Sequence, residues 1–469
     1  MHSFNLSMKI IIIGGGISGC TAYLQLKKHL PVPPPGEQHE ITIYEAYDTS
    51  IDATHNEGET HSSTLIVGGG LGVFPNGLHV LKRLDEDILR DVVRGGYLIA
   101  HQDLRSKNGT LLVRIDPTAH PEEDGERMHL LATSRHSLWK NLRLRIPDSD
   151  IQTKRILKVV ATADGRNTVH FTDGSPSAEA DLVIGADGVK GITKQAILPE
   201  KEDLYTPVYQ GLVGVGGFIS GEEVKDLVDE GSMNLVFGGN GFFGYFYSNS
   251  AQSAPNNDSP YHLSKPGDSL CWWSTYAVDE CPDTKSLDME AVAKQLRERH
   301  AHWKSPVIQK VLGSLEVKNM YPTWTSPQLP TWERDGVVLV GDAAHALPST
   351  SGQGSSQALE DVEAFALLLS HSLRGVYQEP SPDPKSYKTA ITTAAKDYMD
   401  IRRPRVQKIL ESAQRMQNSK RDMGVIAEYL MYCAMWIAGC FPRMMSSSLK
   451  GVINYNVAEE VKDFIERQK

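Results

Sequence analysis

Three glycines, Gly14, Gly16 and Gly19, stand at G-x-G-x-x-G spacing directly after the apolar run Ile10 to Ile13. That spacing has a chemical use. The first glycine permits a tight turn, the second lets backbone approach a pyrophosphate, and the third lets a helix pack closely on a strand. The helix N-terminus then offers free N–H groups and partial positive charge to phosphate oxygens. Gly14, Gly15, Gly16, Ile17, Ser18 and Gly19 are therefore a candidate phosphate cradle. Glu45, followed by Ala46, ends the next apolar run, where a carboxylate can accept both hydroxyls of a ribose. These residues specify a dinucleotide without choosing which one.

The elements that must position the cradle are legible around it. Met8 to Ile13 predicts a short buried strand, and Ile17, Cys20 and Leu24 recur at helical spacing. Pro31 to Gly36 ends that helix, and Ile41 to Glu45 is a second strand, which makes a βαβ opening. Thr49 to Thr64 is polar and reads as a surface loop, and Thr133 to Arg145 reads as a helix. Leu182–Ile184 and Val337–Val340 predict two more buried strands, running into Gly185-Ala186-Asp187-Gly188 and Gly341-Asp342. Ala358, Val362, Phe365 and Leu369 mark a long helix, and the chain beyond about 385 is mainly helical. Between about 200 and 320 the texture differs. Tyr209–Val215, Phe242–Tyr247 and Leu270–Tyr276 are rich in aromatic and β-branched residues, as sheet surfaces are.

A second glycine-bearing run lies far along the chain. Gly341-Asp342-Ala343-Ala344-His345-Ala346-Leu347-Pro348 is followed by Gly352-Gln353-Gly354-Ser355-Ser356-Gln357-Ala358-Leu359-Glu360-Asp361. Asp342, after a buried strand, can accept a hydroxyl of a bound ligand. Gly352 and Gly354 let backbone amides approach a ligand, and the helix that starts there favours negative charge on it. This run closely resembles the second flavin motif of the group A FAD-dependent monooxygenases, the relatives of para-hydroxybenzoate and salicylate hydroxylases. Three further segments resemble that family in the same order: Gly68-Gly69-Gly70-Leu71 through Pro75-Asn76, then Arg135 with Leu138 and Leu142, then Leu182 to Gly188. The resemblance implies that Gly69 and Gly70 run beside the flavin and that Arg135 supports the phosphates or ribityl chain. It further implies that Asp187 serves the pyrophosphate and the handling of the nicotinamide cofactor. Gln353, Gly354 and Ser355 would meet the ring, and Pro348 would line its oxygen-reaction side. The chain departs from the family pattern at Lys190, Gly191 and Lys194, and at Ser355-Ser356.

The fold expected is α/β: a Rossmann-like FAD-binding domain with an inserted β-sheet-rich substrate domain and a helical C-terminus. The FAD-binding domain would be discontinuous, 1–198 and 325–380, with the substrate sheet at 199–324 and the helical region at 381–469. By resemblance, NADPH or NADH reduces FAD, O₂ adds at the flavin C4a carbon, and the resulting hydroperoxide delivers oxygen to an electron-rich carbon. Water must be kept out of such a site. An aromatic or polycyclic substrate of specialised metabolism is expected, with hydroxylation or epoxidation as the outcome. Tyr209, Tyr245 and Tyr247 lie on expected strands and could line its pocket or pack in the core. The sequence names no catalytic acid or base, and His345 reads as a structural turn residue. A flavin-dependent dehydrogenase or reductase, a halogenase, and a flavin-free escort protein of related fold stay open as alternatives. Trp272-Trp273 does not match the tryptophan-rich segment of tryptophan-type halogenases.

Composition bounds the partners. The net charge is −10, with 48 basic and 58 acidic residues and no basic block, which argues against a nucleic-acid groove. The five cysteines are scattered, without metal-ligand spacing, so no metal is expected and a reducing, cytoplasmic setting is the simplest reading. Tyr429 to Phe441 is apolar but too short to span a bilayer. It reads as a buried or docking helix, with peripheral membrane contact as the lesser alternative.

Overall fold

The computed structural model describes residues 7–33, 36–49, 70–123, 125–199, 202–284, 286–379, 383–441 and 449–468. In chain order, the elements that build the site begin with strand β1 (Lys9–Ile13), helix α1 (Ile17–His29), strand β2 (Glu40–Glu45), helix α2 (Arg135–Arg143) and strand β3 (Leu182–Gly185). Strands β4 (Val208–Ser220), β5 (Ser232–Gly238), β6 (Gly241–Tyr247), β7 (Ser269–Ala277), β8 (Met320–Thr325) and β9 (Val337–Leu339) follow. Helices α3 (Gly354–Tyr377), α4 (Pro384–Gln417) and α5 (Val425–Gly439) complete the set.

Runs of Ile, Val and Leu without polar alternation belong to strands covered on both faces. Here β9, β3, β1 and β2 lie side by side in parallel, in that order, with Ile151–Thr153 beside β2 and Glu333–Arg334 antiparallel on the other edge. Helices α1, α3 and α4 bury their apolar faces in the same core as these strands. The result is the expected α/β nucleotide-binding architecture. Because the four strands are parallel, the turns after β1, β3 and β9 and the end of β2 all emerge at one sheet edge, where open α/β sheets bind ligands.

The second sheet has seven strands in the order β8, β4, β7, β6, β5, His101–Ser106, Leu111–Ile115. Its last two strands come from 101–115, so sheet membership is not confined to 199–324. Pairing fixes the parity of its faces. Phe243, Tyr245 and Tyr247 share one face with Trp272 and Tyr276, in a core that also holds Val292 and Leu296 from the helix Met289–His300, Ile308 from the helix Pro306–Gly313, and Trp303 between them. Phe242, Gly244 and Phe246 share the other face with Cys271, Trp273 and Thr275.

Helix α5 docks on that second face. Tyr432 is buried beside Phe237 and Phe242, with Met431 and Met435 packed against them, and Glu428 is held by Lys107 and Tyr432. Its outer side exposes Val425, Ile426, Leu430, Trp436 and Ile437. Among the described residues, no helix is long and apolar enough to cross a membrane.

The tightest constraint in the βαβ opening is Gly19. A Cβ there would sit within the van der Waals envelope of the Gly14 carbonyl oxygen, and backbone cannot move aside as a flexible side chain can. Gly19→Ala is therefore expected to lower the melting temperature by several degrees and to raise the yield of aggregated protein. Melting at the wild-type temperature would contradict the close strand–helix contact.

Candidate active site

The glycine turns converge through backbone contact. Gly14 has φ +103°, and a Cβ on it would lie 2.5 Å from the Ala186 carbonyl oxygen, so the turns after β1 and β3 touch. Gly341 has φ +60°, and a Cβ on it would collide with the Ser18 hydroxyl, which brings the turn after β9 against the start of α1. Trp139 of α2 donates its indole N–H to the Gly15 carbonyl at 2.8 Å. The Ser134 hydroxyl caps α2 by accepting the Ser137 N–H, which sets Arg135 at the first position of that helix.

The cluster leaves room where a ligand needs it. A Cβ on Gly16, Gly188 or Gly354 would meet nothing within 4 Å. No side chain caps α1 at Gly16 or α3 at Gln353, so the first-turn N–H groups of both helices keep their capacity to donate. Glu45 Oε2 accepts the Gly15 N–H at 2.6 Å and Oε1 accepts the Tyr47 N–H at 3.1 Å. Each carboxylate oxygen retains a further lone pair for a hydroxyl donor. Asp342 lies deep among protein atoms, yet its side chain is open to solvent, so it lines a cleft and not the core. Desolvation pushes its carboxyl pKa up, against the pull of Arg135 and His345. This donor set and open backbone fit a flavin dinucleotide.

A buried charge network ties the second glycine run to the C-terminal helices. Asp361 Oδ2 accepts the Gly341 N–H at 3.0 Å and meets His345 Nε2 at 2.5 Å. Asp361 Oδ1 accepts Arg402 Nε at 2.9 Å. Glu360 takes Arg402 Nη1 at 2.5 Å and Arg405 Nε at 2.7 Å, and it also accepts the Asn76 amide at 2.5 Å. Asn76 and Gln357 both donate to Gln353 Oε1 at 3.1 Å. Ser355 donates to the Gly72 carbonyl at 3.0 Å, and Ser356 accepts the Phe74 N–H at 3.1 Å. The 70–77 segment and the 352–361 run therefore form one unit.

Residues 149–401, more than half of the chain, match the family model described as "FAD binding domain". The chain belongs to the FAD-binding family of flavoprotein monooxygenases. The flavoprotein is 24% identical over 452 residues to the FAD-dependent monooxygenase janM of Penicillium janthinellum, covering 94% of this chain and 83% of that one. It is 23% identical over 424 residues to the 6-methylsalicylate 1-monooxygenase atA of Aspergillus terreus, covering 88% and 82%. Its fold matches that of Klebsiella pneumoniae HpxO complexed with FAD and uric acid, with a TM-score of 0.70 at 21% identity over 95% and 96% of the two chains.

Contacts join Gly14 to the Asp187 loop, Gly15 to Glu45 and Gly341 to Ser18 of the flavoprotein, and Arg135 acts on Asp342, while Gly352 and Ser355 pack on the 72–74 segment. Gly70 begins the strand that leads into that segment, and Gly69 lies outside the described residues. The Asp187 carboxylate turns back on its own loop, where one oxygen accepts both the N–H (2.9 Å) and the hydroxyl (2.8 Å) of Thr193. It faces Gly191, at which any Cβ would overlap the carboxylate, and that accounts for the glycine in the departure from the family pattern. Tyr245 and Tyr247 are not brought to the cleft. They belong to the face of β6 that packs on helices, and Tyr247 stacks edge-on with Tyr97. Tyr209 packs on Trp324 and donates to the Val278 carbonyl at 2.8 Å, near the sheet edge. On the opposite face Phe246 and Cys271 meet Gly70, while Phe242 and Trp273 pack with Phe237 and Tyr432 beneath α5. Arg402 also escaped the sequence reading, since an arginine in a polar helix carries no local sign of burial.

Two outcomes follow for the network. Breaking a buried ion pair from one side costs about 3–5 kcal/mol, so Arg402→Met is expected to destabilise the flavoprotein strongly in chemical denaturation. An unchanged unfolding midpoint would contradict the network. Burial opposes ionisation of Glu360 and Asp361, but their cationic partners outweigh it and hold both below the usual carboxylate range. A depressed native pKa gives stability that is fully present above the unfolded value, about 4, and lost as pH falls toward the native value. Thermal melting should therefore fall below about pH 4, and a melting temperature flat from pH 6 to pH 3 would count against the pairing.

Proposed function

We propose that this flavoprotein is an NAD(P)H- and O₂-using monooxygenase that hydroxylates or epoxidises an electron-rich aromatic or polycyclic small molecule in specialised metabolism. The observation that carries this reading is the meeting of the glycine-lined strand ends with the aromatic face of the second sheet. They meet at Gly70, where a Cβ would lie 2.6 Å from Cys271 Sγ and 2.8 Å from the Phe246 ring. The name of the 6-methylsalicylate relative supports an aromatic substrate.

In this reading the N–H groups at the start of α1 hold the pyrophosphate and Glu45 holds the adenosine ribose. Asp342 receives a ribityl hydroxyl, Arg135 supports the chain of phosphates, and Gly352 to Ser355 meet the pyrimidine edge of the ring. Asp187 holds its loop in shape beneath the pyrophosphate, and Pro348 faces the oxygen-reacting side. Bound FAD supplies two-electron reduction by a nicotinamide and activation of O₂, with one oxygen atom going to substrate and the other to water. The protein's share is position and dryness. Phe246, Cys271 and Trp273 give the substrate an apolar wall that excludes water from the reacting carbon. His345, bonded to Asp361, holds the Gly341 turn.

The domain division follows the same logic: 1–198 with 325–380 binds FAD, apart from the 101–115 strands that join the substrate sheet of 199–324, and 381–469 is the C-terminal helical region. Five unpaired thiols, two of them buried, fit a reducing, cytoplasmic setting.

Purified protein is expected to show a visible flavin band, and Asp342→Ala to lose most of its FAD after gel filtration while keeping its fold. With an accepted aromatic substrate, NADPH or NADH consumption should accelerate and yield oxygenated product. A colourless protein that takes up no FAD, or electrons passing only to H₂O₂ across a broad aromatic panel, would overturn the proposal.

A further inference from the structure

Helix α5 covers only part of the second sheet. It packs over Phe237, Phe242 and Trp273, on the side of β5, β6 and β7. The same face continues onto β4 and β8 with a different set of residues. Val213, Val215 and Met320 are buried in the core on the opposite face, so Gly214, Gly216 and Tyr321 alternate to this one. All three of these are partly exposed. A Cβ on Gly214 would find only the Tyr321 carbonyl oxygen, at 3.8 Å, so nothing stands over that residue. The nearest neighbours of a Cβ on Gly216 would all be atoms of Trp272 and Trp273, on the adjoining strand β7. The Trp273 indole itself turns away from β4 and lies across Gly244. The two glycines thus make a floor without side chains. The strands on either side of β4, which carry Tyr321 and Trp273, are two strand spacings or about 10 Å apart. That is the length of a two-ring aromatic.

The floor adjoins the flavin segments. Lys190, three residues beyond Asp187, places its Nζ 4.1 Å from the centre of the Trp324 ring on β8. Arg135 acts electrostatically on both the Tyr321 phenol and the Asp342 carboxylate. On β7, Cys271 shares the face of Trp273 and abuts Gly70.

Tyr321 brings a polar group to this floor. Its hydroxyl makes no hydrogen bond among the described residues. By contrast, Tyr209 donates to the Val278 carbonyl and Tyr276 to Gln295. Burial pushes the Tyr321 phenol pKa up, against the pull of Arg135, so the hydroxyl keeps its proton at neutral pH and can donate it. A partly desolvated donor with no partner gains free energy when a ligand supplies an acceptor.

We propose that Tyr321 determines substrate specificity by donating a hydrogen bond to an oxygen substituent of an aromatic substrate lying on the Gly214–Gly216 floor. The inference rests on the aromatic monooxygenase reading and names how that site chooses its substrate. It selects hydroxylated or carbonyl-bearing rings over arenes that lack an acceptor, and it fixes which edge of the ring turns toward the flavin.

The test titrates FAD-loaded protein with 2-naphthol and with its near-isostere 2-methylnaphthalene at pH 7, following the flavin absorbance. Tyr321→Phe keeps the ring and removes only the donor. It is expected to weaken 2-naphthol about fivefold or more, the worth of one hydrogen bond, and to leave 2-methylnaphthalene, FAD content and melting temperature unchanged. Gly214→Val places a side chain on the floor and should weaken both probes at least about tenfold while FAD stays bound. Wild-type protein that binds no 2-naphthol, or a Tyr321→Phe protein that binds both probes as wild type does or loses both alike, would overturn the proposal. Gly214→Val binding both as tightly as wild type would overturn it through the floor. Binding is read without a nicotinamide and without turnover. Electrons passing only to H₂O₂ would therefore count against the monooxygenase reading, and an unchanged 2-naphthol affinity in Tyr321→Phe against Tyr321 alone.

Discussion

One buried carboxylate holds the site together. Asp361 takes the Gly341 N–H and His345 on one oxygen and Arg402 on the other, while its neighbour Glu360 takes Arg402, Arg405 and Asn76. Two acids are matched by two guanidiniums inside the fold, so charge is balanced where water cannot reach. This explains why the second glycine run is long. Its first and last residues bond each other, and the turn keeps its shape only because α3 and α4 are paired behind it. Such a pairing specifies geometry more than it adds stability, since an apolar replacement of comparable shape can be as stable.

From that anchor the rest of the site follows by strand direction. Parallel β1, β2, β3 and β9 deliver Gly14, Glu45, Asp187 and Asp342 to one edge, and helix N-termini supply donors without side-chain caps. The second sheet supplies the opposite need, a dry face. Its parity sets Phe246 beside Gly70, leaves Phe242 and Trp273 packed under α5, and gives Tyr245 and Tyr247 to the core behind.

The glycine turns were legible in the sequence because each needs a backbone that side chains forbid. Gly14 and Gly341 occupy positive φ, and Gly19 and Gly191 have no room for a Cβ. The α/β architecture was legible for a similar reason, since unalternating Ile and Val runs mark doubly covered strands. Strand parity in Gly241–Tyr247 was not. All seven residues are buried, so no polar residue marks which face is which, and Tyr245 and Tyr247 look as suitable as Phe246. Arg402 was equally silent. Its burial depends on α4, from late in the chain, packing on α3, and no local pattern encodes that contact.

The central claim is that oxygen from O₂ reaches a substrate bound over Trp273 and Phe246. The most direct measurement is turnover of FAD-loaded protein with NADPH or NADH under ¹⁸O₂, with mass analysis of the product from an aromatic substrate. The account predicts one ¹⁸O atom in each product molecule. Product formed without O₂, or carrying oxygen only from water, would contradict it.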